Sequence, residues 1–285
     1  MSDRSDATKF VTPLRRREAD SDWPGEGWPT TGPLRDRFGR VVRKLRISVT
    51  DRCNFRCIYC MPEDVTFLPG DEILTFDEIE RVVRIVAPLG VAKLRLTGGE
   101  PLLRPGLPDL IARLRRVPGI RSLSLTTNGF FLAEQARALH EAGLDGVNIS
   151  LDTLDPDRFR QIARRGGLER VLAGIAAARA AGLRPIKINC VAMRGVNEGE
   201  IEAFLHWARR EEVVVRLIEF MPLDGDNIWE RGLVLTAAEI LAIAEGVGPV
   251  EPLDNPPSDP ARLYRFRDGK GTFGIIASVS EPFCA

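Results

Sequence analysis

Cys53, Cys57 and Cys60 stand in the run Cys-Asn-Phe-Arg-Cys-Ile-Tyr-Cys, a C-x3-C-x2-C spacing. Three clustered thiolates are one ligand short of a closed structural zinc site. A [4Fe–4S] cube held by three cysteines keeps one iron open for chemistry. The run follows an apolar, strand-like stretch at Leu45–Val49 and passes into Met61-Pro62, so it reads as a loop wrapped around a cluster. A disulfide, or a zinc knuckle lacking a ligand, are the alternatives. The chain has two histidines, His140 and His206, both in helical stretches far from this loop, which weighs against zinc.

A second group is cationic. Arg46, Lys93, Arg95, Lys187 and Arg216 fall in or near predicted strands, where long charged side chains are rarely buried without a partner. Turned inward, they form a cage for a polyanion such as a triphosphate, with arginine able to grip it through two hydrogen bonds. Turned outward, each meets solvent or a nearby glutamate. No Gly-x4-Gly-Lys-Ser/Thr loop is present, so a P-loop nucleotide site is excluded.

The elements that must position these groups alternate in type. Predicted strands cover 43–49, 92–97, 121–126, 145–150, 185–192 and 213–219, and predicted helices cover 75–88, 105–116, 131–142, 168–181 and 198–210. That rhythm is the signature of βα units on a parallel sheet, here an α/β fold in the form of an open or partial (β/α) barrel. Thr75 with Glu78 forms a capping-box pattern, and Gly90, Gly143 and Gly182 follow helical stretches as C-caps. In such barrels the chemistry gathers at the C-terminal strand ends. Asp155-Pro156 reads as a turn and helix start rather than a metal site with Asp152 and Asp157, and Cys190 as a core residue.

Residues 1–32 are rich in charge, Pro, Gly and Asp, the composition of a flexible leader. The barrel is expected over 33–222 and a small α+β appendage over 223–285, with a helix at 236–245, a loop at 249–260 and strands at 262–267 and 272–278. Forty basic and forty acidic residues cancel, so no global field argues for a nucleic acid or a membrane surface. No stretch approaches the roughly 18 apolar residues of a membrane span. Five cysteines, three of them clustered, fit a reducing cytoplasm better than a disulfide framework.

The cysteine loop, preceded by Leu45-Arg46-Ile47-Ser48-Val49-Thr50-Asp51-Arg52, resembles that of the radical S-adenosylmethionine (SAM) superfamily. With Leu96-Thr97-Gly98-Gly99-Glu100-Pro101, Leu125-Thr126-Thr127-Asn128-Gly129, Val147-Asn148-Ile149-Ser150-Leu151-Asp152, Lys187-Ile188-Asn189 and Ile218-Glu219-Phe220-Met221-Pro222, the chain is similar, more narrowly, to the GTP 3′,8-cyclase family of molybdenum cofactor biosynthesis. The resemblance implies a six-unit partial TIM-like barrel, a cluster on Cys53, Cys57 and Cys60, and SAM beside Gly98, Gly99, Glu100, Tyr59, Ser150 and Met221. It also implies GTP contacts at Arg46, Arg95, Lys187 and Thr126, an external electron donor and a homodimer.

The family carries a second cluster on C-x2-C and a further cysteine, with arginines following. Ser278-Val279-Ser280-Glu281-Pro282-Phe283-Cys284 matches the approach to that motif, and Ala285 follows. Cys284 is thus expected as the first ligand of a second cluster that this sequence does not complete. The expectation is a truncated cyclase that binds one cluster and SAM but turns GTP over poorly. The rivals are a single-cluster radical SAM enzyme with another substrate and an inactive cluster-binding remnant.

Overall fold

Strand and helix alternate as expected, and parallel pairing follows from it. The computed structural model describes residues 32–211, 213–254 and 259–282. In it β1 (Lys44–Ser48), β2 (Lys93–Thr97), β3 (Ser122–Thr127), β4 (Gly146–Ser150), β5 (Ile186–Ala192) and β6 (Val214–Glu219) pair in parallel, each with the next. The crossovers hold α1 (Phe76–Val86), α2 (Leu107–Arg115), α3 (Leu132–Glu141), α4 (Pro156–Ala163), α5 (Leu168–Ala180) and α6 (Ile201–Arg210). The predicted leader lies, but for Gly32, outside the described residues. Among those described, no helix is long and apolar enough to cross a membrane.

Local chemistry fixes the helix starts. Thr75 caps α1 through its hydroxyl, which accepts from Glu78 N at 3.2 Å while Glu78 Oε2 accepts from Thr75 N at 2.7 Å. Asp155 starts α4 in the same spirit, taking Arg158 N at 2.7 Å. A second capping box, Thr236 with Glu239, opens α7 (Ala237–Val247) and has no counterpart in the sequence reading.

The C-terminal region departs from the expected appendage. The hairpin of β8 (Arg262–Phe266) and β9 (Thr272–Ile276) forms, but β9 pairs in parallel with β6, and β7 (Val250–Leu253) adds an antiparallel edge beyond β8. The outcome is one nine-stranded sheet in the order β1-β2-β3-β4-β5-β6-β9-β8-β7. Residues 250–253 fall within the loop expected over 249–260, a stretch rich in Pro and Asp; an edge strand tolerates a proline that an inner strand does not.

Strand periodicity divides the barrel into two environments. Leu94, Leu96, Leu123, Leu125, Ile186, Ile188, Val215 and Leu217 are all at most 2 % exposed and form the main core with the helices. Each such burial stabilises the fold by roughly 1.5–3 kcal/mol. The alternate positions are polar and lie in register. Lys44 faces Lys93, and Lys93 faces Ser122. Arg46 faces Arg95, and Arg95 faces Ser124. Thr126 faces Asn148, and Asn148 faces Lys187. Asn189 faces Arg216. A closed barrel of this type usually fills its interior with branched apolar side chains; here that face is left hydrophilic.

Candidate functional site

The cysteine loop leaves the C-terminal end of β1 and is held almost entirely by backbone. Val49 N reaches Thr97 O at 2.8 Å, Gly99 N reaches Thr50 O at 2.7 Å, and Glu100 N reaches Arg52 O at 2.7 Å. On the other side, Arg56 N and Ile58 N donate to Ala163 O and Ile162 O at 3.1 and 3.0 Å. Those carbonyls end α4 and lack helical partners of their own, so the short helix clasps the loop. Phe55, buried at 4 %, anchors it edge-on between Phe130 and Phe159 at 5.7 and 5.6 Å.

This clasp gives Gly98 and Gly99 a local reason to lack side chains. A Cβ on Gly98 would overlap the Thr50 carbonyl oxygen, and one on Gly99 would lie 2.5 Å from Asp51 O. The close approach is to the cysteine loop itself. Glu100 is fully buried and already engaged: Oε1 accepts from Leu102 N at 3.0 Å and Thr127 Oγ1 at 2.7 Å, Oε2 from Asn128 N at 2.6 Å. With about four lone-pair positions on a carboxylate, one remains for a ligand. Burial pushes its pKa up, against those three hydrogen bonds.

None of the three loop cysteines is in a disulfide; Cys60 is exposed, Cys53 and Cys57 half-buried. Burial raises all three thiols, Cys57 most, and the charge of Cys60 raises Cys53 and Cys57 further. Phe55 N donates to Cys53 Sγ at 3.5 Å, and the Asn128 amide stands 4.0 Å from the same sulfur. Among the described residues no three His, Cys, Asp or Glu side chains are arranged to hold a single metal ion. Three soft thiolates on one loop are the donor type of a [4Fe–4S] cube, which takes each on a separate iron and deprotonates it outright.

Tyr59 and Asp152 form a contact that the sequence did not suggest. Tyr59 Oη donates to Asp152 Oδ2 at 2.6 Å, and Val191 N donates to Oδ1 at 2.8 Å. Burial lifts the Asp152 carboxyl to about 6, while both hydrogen bonds pull it down. The Tyr59 side chain thus ties the loop to the ends of β4 and β5. Ser150 and Asn128 line a small cavity of about 20 Å³ with Cys57 and Tyr59. Met221 follows β6, half-exposed. Glu219, at the end of β6, accepts from Ala237 N at 2.8 Å and from Val279 N and Ser280 N at 2.7 Å. It fixes the segment that approaches Cys284, which itself lies outside the described residues.

The cations converge elsewhere on the barrel, toward the N-terminal halves of the strands. Arg46, Lys93, Arg95, Lys187 and Arg216 line one cavity of about 380 Å³. Lys44 lines it too; its place two residues before Arg46 on one strand was the available signal. Thr126 is not among the lining residues, sitting one register pair further along β3. Burial lowers Lys44, Arg95, Lys187 and Arg216, and repulsion within the group lowers them further. The lining carboxylates are Asp259, which raises these four, and Asp145, which is taken by Arg115 at 3.0 Å and Leu123 N at 2.7 Å. Cys190 is buried core, as expected.

A parallel half-barrel with three thiols after its first strand and a cavity lined by basic side chains on its inner face has the layout of a cluster-dependent barrel enzyme. The comparisons narrow it. The model of the Radical SAM superfamily matches residues 47–208, and that of Molybdenum Cofactor Synthesis C matches 213–285. The GTP 3′,8-cyclase of Acidothermus cellulolyticus is 49% identical over 261 residues, 89% of this chain and 72% of that protein. That of Pelotomaculum thermopropionicum is 48% identical, over 88% of this chain and 78% of that one. Among solved structures, Streptococcus suis SuiB bound to S-adenosylmethionine superposes with a TM-score of 0.60 at 18% identity, covering 72% of this chain and 47% of that one. Methylornithine synthase (PylB) superposes at 0.57 and 16%, covering 72% and 62%. The chain belongs to the radical SAM superfamily and, within it, to the GTP 3′,8-cyclase family.

Proposed function

We propose that this chain binds a [4Fe–4S] cluster and SAM at the β1 loop and converts GTP to (8S)-3′,8-cyclo-7,8-dihydroguanosine 5′-triphosphate. The observation that carries the substrate is the cavity itself: six basic side chains line it, the arrangement that a triphosphate neutralises. Cys53, Cys57 and Cys60 would hold the cluster, leaving an iron open for the amino-acid end of SAM. Bound together, the two supply a 5′-deoxyadenosyl radical by one-electron cleavage of the sulfonium bond, the electron coming from an external donor.

The chain's own residues do the rest. The Gly98-Gly99 contact and the α4 clasp fix the loop, and Glu100, Tyr59, Ser150 and Met221 surround the SAM position. Arg46, Lys93, Arg95, Lys187 and Arg216 grip the phosphates and orient the ribose, with Thr126 further along β3, so that one C–H bond is presented in a fixed geometry. Five cysteines with three clustered fit a reducing cytoplasm better than a disulfide framework, and family resemblance favours a homodimer. The division into a leader, a barrel over 33–222 and a C-terminal unit over 223–285 belongs to the same reading, as does a second-cluster ligand at Cys284.

Anaerobic reconstitution followed by incubation with SAM, dithionite and GTP tests this. The expected products are 5′-deoxyadenosine and the cyclised nucleotide, quantified together. 5′-Deoxyadenosine alone would confine the claim to the SAM half, and an absence of SAM cleavage would end it.

A further inference from the structure

Arg216 is the deeply buried cation of the cage, 3% exposed, and what surrounds it is unusual for a guanidinium. Its Nε donates to Asn189 Oδ1 at 2.9 Å and its Nη2 to Asn148 Oδ1 at 2.6 Å. Both acceptors are neutral. Buried arginines are ordinarily matched by a carboxylate, because an uncompensated charge in a dry site is strongly destabilising. Two amides satisfy the hydrogen-bonding geometry and leave the charge intact.

The rest of the local structure supports that arrangement. Asn148 is itself 3% exposed, and its Nδ2 donates to Leu125 O at 3.1 Å. That bond sets which end of the amide faces Arg216, so Asn148 presents oxygen only. Asn189 is the direct register partner of Arg216 across β5 and β6, and Gly274 is its partner on β9. A Cβ at Gly274 would come 3.3 Å from Arg216 Cγ, so the glycine leaves room for the stem. A guanidinium has five N–H donors; the two hydrogen bonds above leave three for a ligand in the cavity that Arg216 lines.

We infer that Asn148 and Asn189 are positioning residues that hold Arg216, through two neutral amide acceptors and no carboxylate, as a pre-aimed fork for the substrate's phosphates. This rests on the reading of the cavity as a polyanion site. It also accounts for asparagine rather than aspartate: a carboxylate at either position would bind the fork as well and cancel it.

The test is equilibrium binding of inorganic tripolyphosphate to the reconstituted protein and four variants: Asn148→Asp, Arg216→Gln, the two combined, and Asn189→Asp. Asn148→Asp keeps side-chain size and adds one charge. The expected result is binding weakened about 10-fold or more and a shallower dependence of affinity on salt. In an Arg216→Gln background the same Asn148→Asp change should alter binding by less than about 2-fold, because the coupling has gone. Asn189→Asp, at a half-exposed position, repeats the experiment should Asn148→Asp fold poorly, as judged by its thermal transition. Parent protein that binds tripolyphosphate while the folded Asp variant binds it equally well overturns the positioning role alone. Equal weakening in the Arg216→Gln background overturns it too, since the charge would then be acting on the whole cage. Parent protein that binds no tripolyphosphate overturns the polyanion reading, and this inference with it.

Discussion

The two ends of this half-barrel are built by opposite means. At the C-terminal end the site is a loop held by main chain, with Thr50, Arg52, Gly99 and Glu100 bonded to one another and α4 carbonyls closing the other side. Toward the N-terminal end it is a set of side chains placed by strand alternation, with hardly any loop involved. The electrostatics differ in the same sense. Burial raises the thiols and Asp152 at one end, the thiols further through acidic neighbours, while burial and like charge lower the cations at the other. Each end is therefore poised to receive the charge it lacks, positive at one and negative at the other. The first should fail when backbone contact is disturbed, the second when charge is.

The largest expected effect separates them. Gly99→Ala places a methyl 2.5 Å from Asp51 O, a backbone atom that cannot swing aside. The loop must detach from β2, and reconstituted iron should fall at least 10-fold, read by iron analysis and visible absorption. Tripolyphosphate affinity should stay within about 2-fold of the parent, because strand side chains and not the loop build that cavity. A parallel loss of both would mean that the two ends share one clasp.

A smaller effect comes from Asp152 in the cluster-free chain. Its carboxyl is lifted to about 6 from an ordinary 3.8 by burial. The native state therefore holds a proton that the unfolded chain has lost between those values, and stability falls as pH rises through that window. Below about pH 4 the contribution is fully present; above about pH 6 it is gone. Asp152→Asn, which still accepts from Tyr59, should flatten the profile, gaining roughly 1–3 kcal/mol on the parent between pH 4 and pH 7. Urea unfolding across that range measures it, and parallel profiles for the two proteins would show that the carboxyl is not buried at all.

What the sequence made legible divides along the same line. The parallel strands were placed to within one residue each, and the cysteine loop followed its strand, because both are local and periodic. The inward row of cations was readable from parity on β1 and β2. What escaped depends on partners distant in sequence. Tyr59 meets Asp152 across 93 residues and Arg216 meets Asn148 across 68. β9 joins β6 as the inner strand of an antiparallel meander, β7-β8-β9, whose edge strand β7 contains Pro252. A propensity argument sees a proline; only the sheet reveals that its strand is an edge. The atoms that exclude a side chain at Gly98 and Gly99 likewise belong to residues 50–52, which no local pattern indicates.

The smallest effect concerns Asp259, and it sharpens the charge side of the comparison. This carboxylate lines the cation cavity and raises Lys44, Arg95, Lys187 and Arg216 toward their ordinary values. In the free protein it relieves part of the repulsion among them; toward an arriving phosphate it acts as a competitor. Asp259→Asn should therefore move two measurements in opposite directions. Stability of the ligand-free protein should fall by about 0.5–1 kcal/mol, and tripolyphosphate should bind roughly 2–5-fold more tightly, both at low salt with an effective dielectric near that of a protein surface. Each shift should shrink as ionic strength rises and the Debye length contracts. A cage assembled to bind an anion must respond this way, because the group that steadies it empty is one the ligand displaces electrostatically. If affinity and stability both fell, Asp259 would instead be a ligand-contacting or structural residue, and the cavity's positive charge would not be what draws the phosphate in.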